Sequence, residues 1–229
     1  MQVRLFPPDL EALTLPEARA LQERLAGLVR EEDAHKTVRL VAGVDVAYDG
    51  GGGHAHAAVA LWDVTSGRVI ETATASAETH FPYVPGFLAW RELPAVLAAF
   101  GRLGGHPDVV LVDGHGRAHP RRCGLACLVG LALDLPTAGC AKSVLVGSFS
   151  GLAAERGARV PLVDRGDVIG MALRTRAGVR PVYVSVGNRI TLEGACGVVL
   201  VASRFRLPEP LRFAHTTVTS LRAAGVRIA

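Results

Sequence analysis

The chain has 229 residues, 49% of them hydrophobic and 20% charged, enough for a buried core and the size of a single domain spanning 1–229. Its formal charge of +4 is compatible with a polyanionic partner without selecting one. No apolar run approaches the roughly 20 residues of a membrane helix, and the acidic, proline-containing start lacks the regions of a secretory signal, so a soluble cytoplasmic protein with no membrane partner is expected.

From Pro16 to about Arg30, Ala18, Leu21, Leu25 and Leu28 recur at helical spacing among charged residues, which predicts an amphipathic helix. Three strands are expected next, Val38 to Ala47, Ala55 to Asp63 and Arg68 to Thr79, joined by Gly-rich and Ser-Gly turns as an antiparallel meander. Gly50 to Gly53 serves as a hairpin loop. A proline-rich turn, His80 to Gly86, leads into a helical stretch that breaks or restarts at Pro94. The remainder alternates: a buried strand Val109 to Val112, a helix from about Arg122 to Leu133 and a short strand Pro136 to Cys140. Strands Val168 to Arg174 and Val182 to Val186 follow, then helices Leu192 to Ala202 and Pro210 to Ala223. This order predicts an α/β fold with a mixed sheet flanked by helices.

The four cysteines, Cys123, Cys127, Cys140 and Cys196, form no paired C-x-x-C pattern and are expected as buried free thiols. His115 and His119 are four apart, but Pro120 disfavours helical geometry at the second and no thiolate ligand accompanies them, so zinc is not expected.

Two aspartates emerge from apolar runs: Asp45 in Val41-Ala-Gly-Val-Asp45 and Asp113 in Val109-Val-Leu-Val-Asp113. A carboxylate leaving a buried strand needs a cation or hydrogen-bond donors, so the pair is a candidate magnesium site. Each also has a purely structural reading, Asp45 at a strand edge or bulge and Asp113 opening a turn at Gly114.

Five segments, taken in order, resemble the endonuclease V family. They are Val41-Ala-Gly-Val-Asp-Val-Ala47, Phe81-Pro-Tyr-Val-Pro-Gly-Phe-Leu-Ala-Trp-Arg-Glu92, Val112-Asp-Gly-His-Gly-Arg-Ala-His-Pro-Arg-Arg122, Pro136-Thr-Ala-Gly-Cys-Ala-Lys-Ser143 and Arg206-Leu-Pro-Glu-Pro-Leu-Arg-Phe-Ala-His215. The resemblance implies a ribonuclease-H-like fold, with Asp45, Glu92 and Asp113 around a magnesium ion for which manganese can substitute. It also implies Lys142 and His215 as active-site residues, Lys142 stabilising charge on the phosphate and His215 orienting water or moving a proton.

Pro82, Tyr83, Val84 and Pro85 resemble the family's wedge, which enters the base stack; the alternative is an ordinary core tyrosine in a tight turn. Gly114, Gly116 and Gly139 match segments around a pocket for hypoxanthine, and His119 matches a position close to the site. Arg117, Arg121 and Arg122 are candidate phosphate contacts. Cys127-Leu128 departs from the family's frequent Ser-His pair and removes a supporting polar contact. The implied activity is cleavage of DNA at the second phosphodiester bond 3′ to deoxyinosine, by a monomer. Inosine-containing RNA and a non-cleaving binder of altered nucleic acid are the alternatives.

Overall fold

A computed structural model describes residues 5–7, 10, 12–34 and 37–224; residues 1–4, 8, 9, 11, 35, 36 and 225–229 of the expected 1–229 span lie outside it. Helix α1 (Leu15–Ala26) starts at Thr14, whose hydroxyl accepts from the Glu17 amide while the Glu17 carboxylate accepts from the Thr14 amide at 2.9 Å. This reciprocal cap, with Pro16 in the first turn, fixes where the helix begins. Its buried stripe is Ala18, Leu21, Gln22 and Leu25.

The meander forms as expected: β1 (Leu40–Tyr48), β2 (His54–Asp63) and β3 (Arg68–Glu78) pair antiparallel. Helix α2 (Leu88–Phe100) runs through Pro94 without a break, unlike the expected restart. Proline removes one backbone hydrogen bond. Ala89, Trp90, Leu93, Ala95, Val96 and Ala99 are all buried on this helix, and their burial outweighs that single loss.

Strand β4 (Val109–Val112) and β5 (Thr137–Ala141) follow β1 in parallel, with α3 (Leu125–Leu133) between them. Helix α3 begins three residues later than expected. Arg122 sits at φ 56°, outside helical space, and the chain turns at Gly124 before entering the helix. Strands β6 (Arg159–Asp164), β7 (Asp167–Leu173) and β8 (Val182–Asn188) complete an eight-stranded mixed sheet in the order β3-β2-β1-β4-β5-β8-β7-β6. Helices α4 (Leu192–Val201) and α5 (Glu209–Ala224) end the fold.

Strand alternation divides the core. Ala42 and Val44 of β1 and Val110 and Val112 of β4 join α1, α2 and α3 on one face. Val109, Leu111, Ala138 and Cys140 pack with α4 and with Leu211 of α5 on the other. All four cysteines are buried free thiols, as expected. Among the described residues, no helix is long and apolar enough to cross a membrane.

Candidate active site

Parallel pairing brings the C-terminal ends of β4 and β5 beside the middle of β1. Val44 is opposite Val112, and Val112 is opposite Gly139, while β1 runs on along β2 to Tyr48. The Asp113 amide continues the ladder by donating to the Val44 carbonyl at 2.9 Å. On β4, Val109 and Leu111 face α4 and α5, and the next residue in that alternation is Asp113. On β5, Ala138 and Cys140 face the same way, and the next is Lys142, whose ammonium donates to Asp113 Oδ2. The same rule therefore delivers a carboxylate and an ammonium to one end of one face.

Gly43 and Asp45 occupy this face of β1. A Cβ at Gly43 would fall inside the Pro210 backbone, so glycine is what lets the start of α5 lie directly on the strand. Farther along the helix, His215 comes over Asp45, with Nδ1 2.6 Å from Asp45 Oδ2. Asp45 is 8% exposed and also accepts from the Val46 amide at 2.9 Å. Burial raises its pKa, and the Asp113 charge raises it further; His215, Lys142 and the Val46 amide pull it down.

One ligand atom each from Asp45, Asp113 and His215 lies within 4.8 Å of the other two. Two carboxylates this close, one of them buried, repel each other and stay ionised together only with positive charge between them. Their oxygens suit a hard divalent cation, and the residues present fit one.

Glu92 reaches the strand ends from α2, accepting from the Tyr48 hydroxyl at 3.4 Å. Its carboxyl is pushed up to about 8, first by burial and then by Asp45, with Asp113 adding and Tyr48 and Arg91 opposing. It stands outside the group of three and lines the neighbouring cleft instead.

That cleft, of about 290 Å³, runs from Tyr83, Val84, Pro85 and Gly86 to Glu92, Asp113 and Gly114, with His115, His119 and Leu145 on its walls. Tyr83 is 74% exposed, which excludes the core-tyrosine reading. A second cleft, of about 590 Å³, opens on the other side of the carboxylates and is lined by Asp45, Lys142, His215 and Arg222.

The three candidate glycines differ. A Cβ at Gly139 would lie 2.6 Å from the Gly114 carbonyl oxygen, and one at Gly116 would enter the Val186 backbone, so both are required for chain-to-chain approach. A Cβ at Gly114 would meet nothing closer than Val112 Cγ1 at 3.9 Å; its open side belongs to the cleft.

His119 and Arg121 turn inward. His119 Nε2 lies 3.0 Å from the Gly86 carbonyl oxygen, and Arg121 also donates to that oxygen while its Nε donates to Gln22 Oε1 at 2.7 Å. Arg122 is paired with Asp164 at 2.8 Å and Asp167 at 3.4 Å. Neither arginine projects freely toward a phosphate. Cys127 donates to the Val186 carbonyl with Sγ 3.6 Å away, and Leu128 is fully buried, so apolar packing occupies the place of the Ser-His pair.

Arg91 and Gln22 were not among the sequence candidates. Both carry a readable signal: a long polar side chain on the core-facing stripe of an amphipathic helix needs a buried partner. Gln22 lies four residues from Ala18, on the stripe of α1, and donates to the Cys123 carbonyl.

Comparison with known proteins agrees with this architecture. The sequence profile described as endonuclease V matches residues 23–216. The chain is 50% identical to the endonuclease V of Roseiflexus sp. strain RS-1 over 88% of this chain and 90% of that protein. It is 51% identical to that of Roseiflexus castenholzii, covering 91% and 93%. The crystal structure of endonuclease V from Streptomyces avermitilis superposes with a TM-score of 0.89 at 42% identity, covering 94% of this chain and 96% of that one. The human ENDOV structure gives 0.85 at 34% identity, covering 93% and 99%. A sheet of this order, flanked by helices and shared with these structures, is ribonuclease-H-like, and the chain belongs to the endonuclease V family of nucleases.

Proposed function

We propose that the chain is a magnesium-dependent endonuclease that recognises deoxyinosine in DNA and cuts the second phosphodiester bond 3′ to it, leaving a 3′-hydroxyl and a 5′-phosphate. The carrying observation is adjacency: Asp113, with Asp45 beside it, lines a cleft whose far rim is the exposed Tyr83 loop. An endonuclease V of Ciona intestinalis, similar in fold, has been crystallised with DNA containing an inosine followed by a ribo-adenosine, which supports the substrate class.

In this reading Asp45 and Asp113 hold the cation, with Glu92 beside them acting directly or through water. A divalent ion bound there supplies charge neutralisation at the phosphate and a template for the attacking water. Lys142 releases part of its hold on Asp113 to share the charge that grows on the phosphoryl oxygens. His215, donating Nδ1–H to Asp45, keeps Nε2 as an acceptor able to orient water or take its proton. Tyr83, flanked by Pro82 and Pro85, fills the gap left by the extruded base, offsetting an unstacking cost of a few kcal/mol. The base enters the adjoining cleft, where Gly114 leaves room that a guanine's 2-amino group would overfill.

The test incubates end-labelled DNA and RNA strands, each carrying inosine or adenosine at one site, with magnesium, with manganese and with chelator. Expected is a single cut one nucleotide beyond the inosine's own 3′ bond, in DNA and only with metal. Equal cutting of the inosine and adenosine strands overturns the specificity, and a cut confined to RNA overturns the substrate.

A further inference from the structure

We propose that Arg121, His119 and Arg91 are positioning residues that clamp the two roots of the Pro82–Pro85 loop, so that Tyr83 is held out before any nucleic acid arrives. This rests on the wedge reading above and gives these side chains a role other than holding phosphates.

The loop is fixed at both ends through backbone oxygens. At its start, the buried Arg91 donates to the Phe81 carbonyl, and its other nitrogen ties in the Gly52 carbonyl at 2.7 Å and Thr79 Oγ1 at 3.2 Å. At its end, Gly86 adopts φ 81°, and its carbonyl takes both Arg121 and His119 Nε2. Beneath the loop the Phe81 and Phe87 rings are 6.2 Å apart, and the Arg121 guanidinium stacks 4.0 Å from the Phe87 centroid.

The hydrogen bonds leave little freedom. Arg121 uses Nε on Gln22 and Nη2 on Gly86, with one face on a ring. His119 Nδ1 accepts from the Arg121 amide at 3.2 Å, so the ring carries its proton on Nε2 and donates it to Gly86. A carbonyl held by two donors, one of them cationic, is a fixed point. The exposed tip contributes one internal bond, Phe87 N to the Val84 carbonyl at 3.0 Å, so its rigidity comes from the roots. A wedge pays for loop ordering at the moment of binding unless it is ordered beforehand.

The experiment compares Arg121→Met, Arg121→Lys and His119→Gln with the parent on two substrates, inosine in a fully paired duplex and the same inosine in a short unpaired bubble. A bubble needs no wedge to open it. Arg121→Met is expected to lower the duplex-to-bubble cleavage ratio about tenfold, the scale of one charge-assisted hydrogen bond. His119→Gln keeps an amide donor for Gly86 and is expected to retain most of the ratio.

A 2-aminopurine beside the inosine, read in chelator, reports unstacking without cutting. The parent is expected to brighten it in the duplex, and Arg121→Met to brighten it less. A phosphate contact predicts otherwise: equal loss on both substrates, a salt dependence shallower by about one ion, and Arg121→Lys like the parent. Those results, or unchanged fluorescence in Arg121→Met, overturn the clamp. If Arg121→Met melts early, Arg121→Lys carries the same reading, since it retains the charge but lacks the fork that spans Gln22 and Gly86. A parent that brightens no duplex overturns the wedge reading itself, which separates the two failures.

Discussion

Two clefts meet at Asp45 and Asp113, and they are built from different materials. The larger one is held by charged side chains acting on each other: Lys142 on Asp113, His215 on Asp45. The smaller one is held by the backbone, with the Phe81 and Gly86 carbonyls gripped by guanidinium groups and Gly116 and Gly139 admitting neighbouring chain segments. Charge complementarity tolerates modest movement because it falls off gradually with distance. Under the proposed function, shape selection against one exocyclic amino group does not, and the cleft given to recognition is the one bounded by close backbone approach and by the guanidinium groups of Arg91 and Arg121.

The largest effect tests the charged side. Asp113→Asn is expected to lower kcat at least about a thousandfold, and a magnesium titration of activity should show weaker apparent binding. An enzyme with near-parental kcat would remove Asp113 from the site. Next comes a glycine contrast on the backbone side. Gly139→Ala forces a methyl against the 114–116 backbone and should destabilise the fold by about 1–3 kcal/mol, whereas Gly114→Ala should stay within about 0.5 kcal/mol in denaturant melts. The Gly114→Ala enzyme should nevertheless lose inosine cleavage, because its methyl enters the cleft; stability costs in the reverse order would invert the assignment.

The smallest effects are in pH, and the two groups of residues move in opposite directions. Glu92 is raised from 4.5 to about 8, chiefly by burial, so in chelator its contribution is complete below pH 4.5 and is lost as pH climbs through 8. Glu92→Gln should raise Tm at pH 8.5 by about 2–4 °C and much less at pH 4. His119 is lowered to about 4, first by burial and then by Arg121, so its contribution is present above pH 6.5 and lost as pH falls toward 4. His119→Gln should flatten the acid limb of the Tm profile and leave the alkaline limb in place. A Glu92→Gln profile parallel to the parent's across both limbs would mean that Glu92 is not strained by its neighbours.

Local patterning made most of the fold readable. Partial alternation marked β3, apolar runs between glycine-rich and Ser-Gly turns marked β1 and β2, and short apolar runs marked β4 and β5. Strand β6 escaped because it is an edge strand carrying Pro161 and pairing on one side with β7, so little of it is buried or periodic. Helix α2 was misread at Pro94 because the local rule for proline carries no knowledge of how much of that helix is buried. In the site, Asp45, Asp113, Lys142 and His215 stood out through motif and chemistry, and they do come together. The hydrogen bonds that Arg121 makes were not legible, because its partners, Gln22 and Gly86, lie 99 and 35 residues away, a separation that no local pattern encodes.

The seating of α5 on Gly43 also sets an order in time. Both carboxylates and the lysine have been synthesised by residue 142, but the imidazole that covers Asp45 arrives only with residue 215, on a helix that must still dock onto β1. A nascent chain on the ribosome therefore carries both carboxylates and the exposed Tyr83 loop well before the helix that covers Asp45, and the site is assembled last.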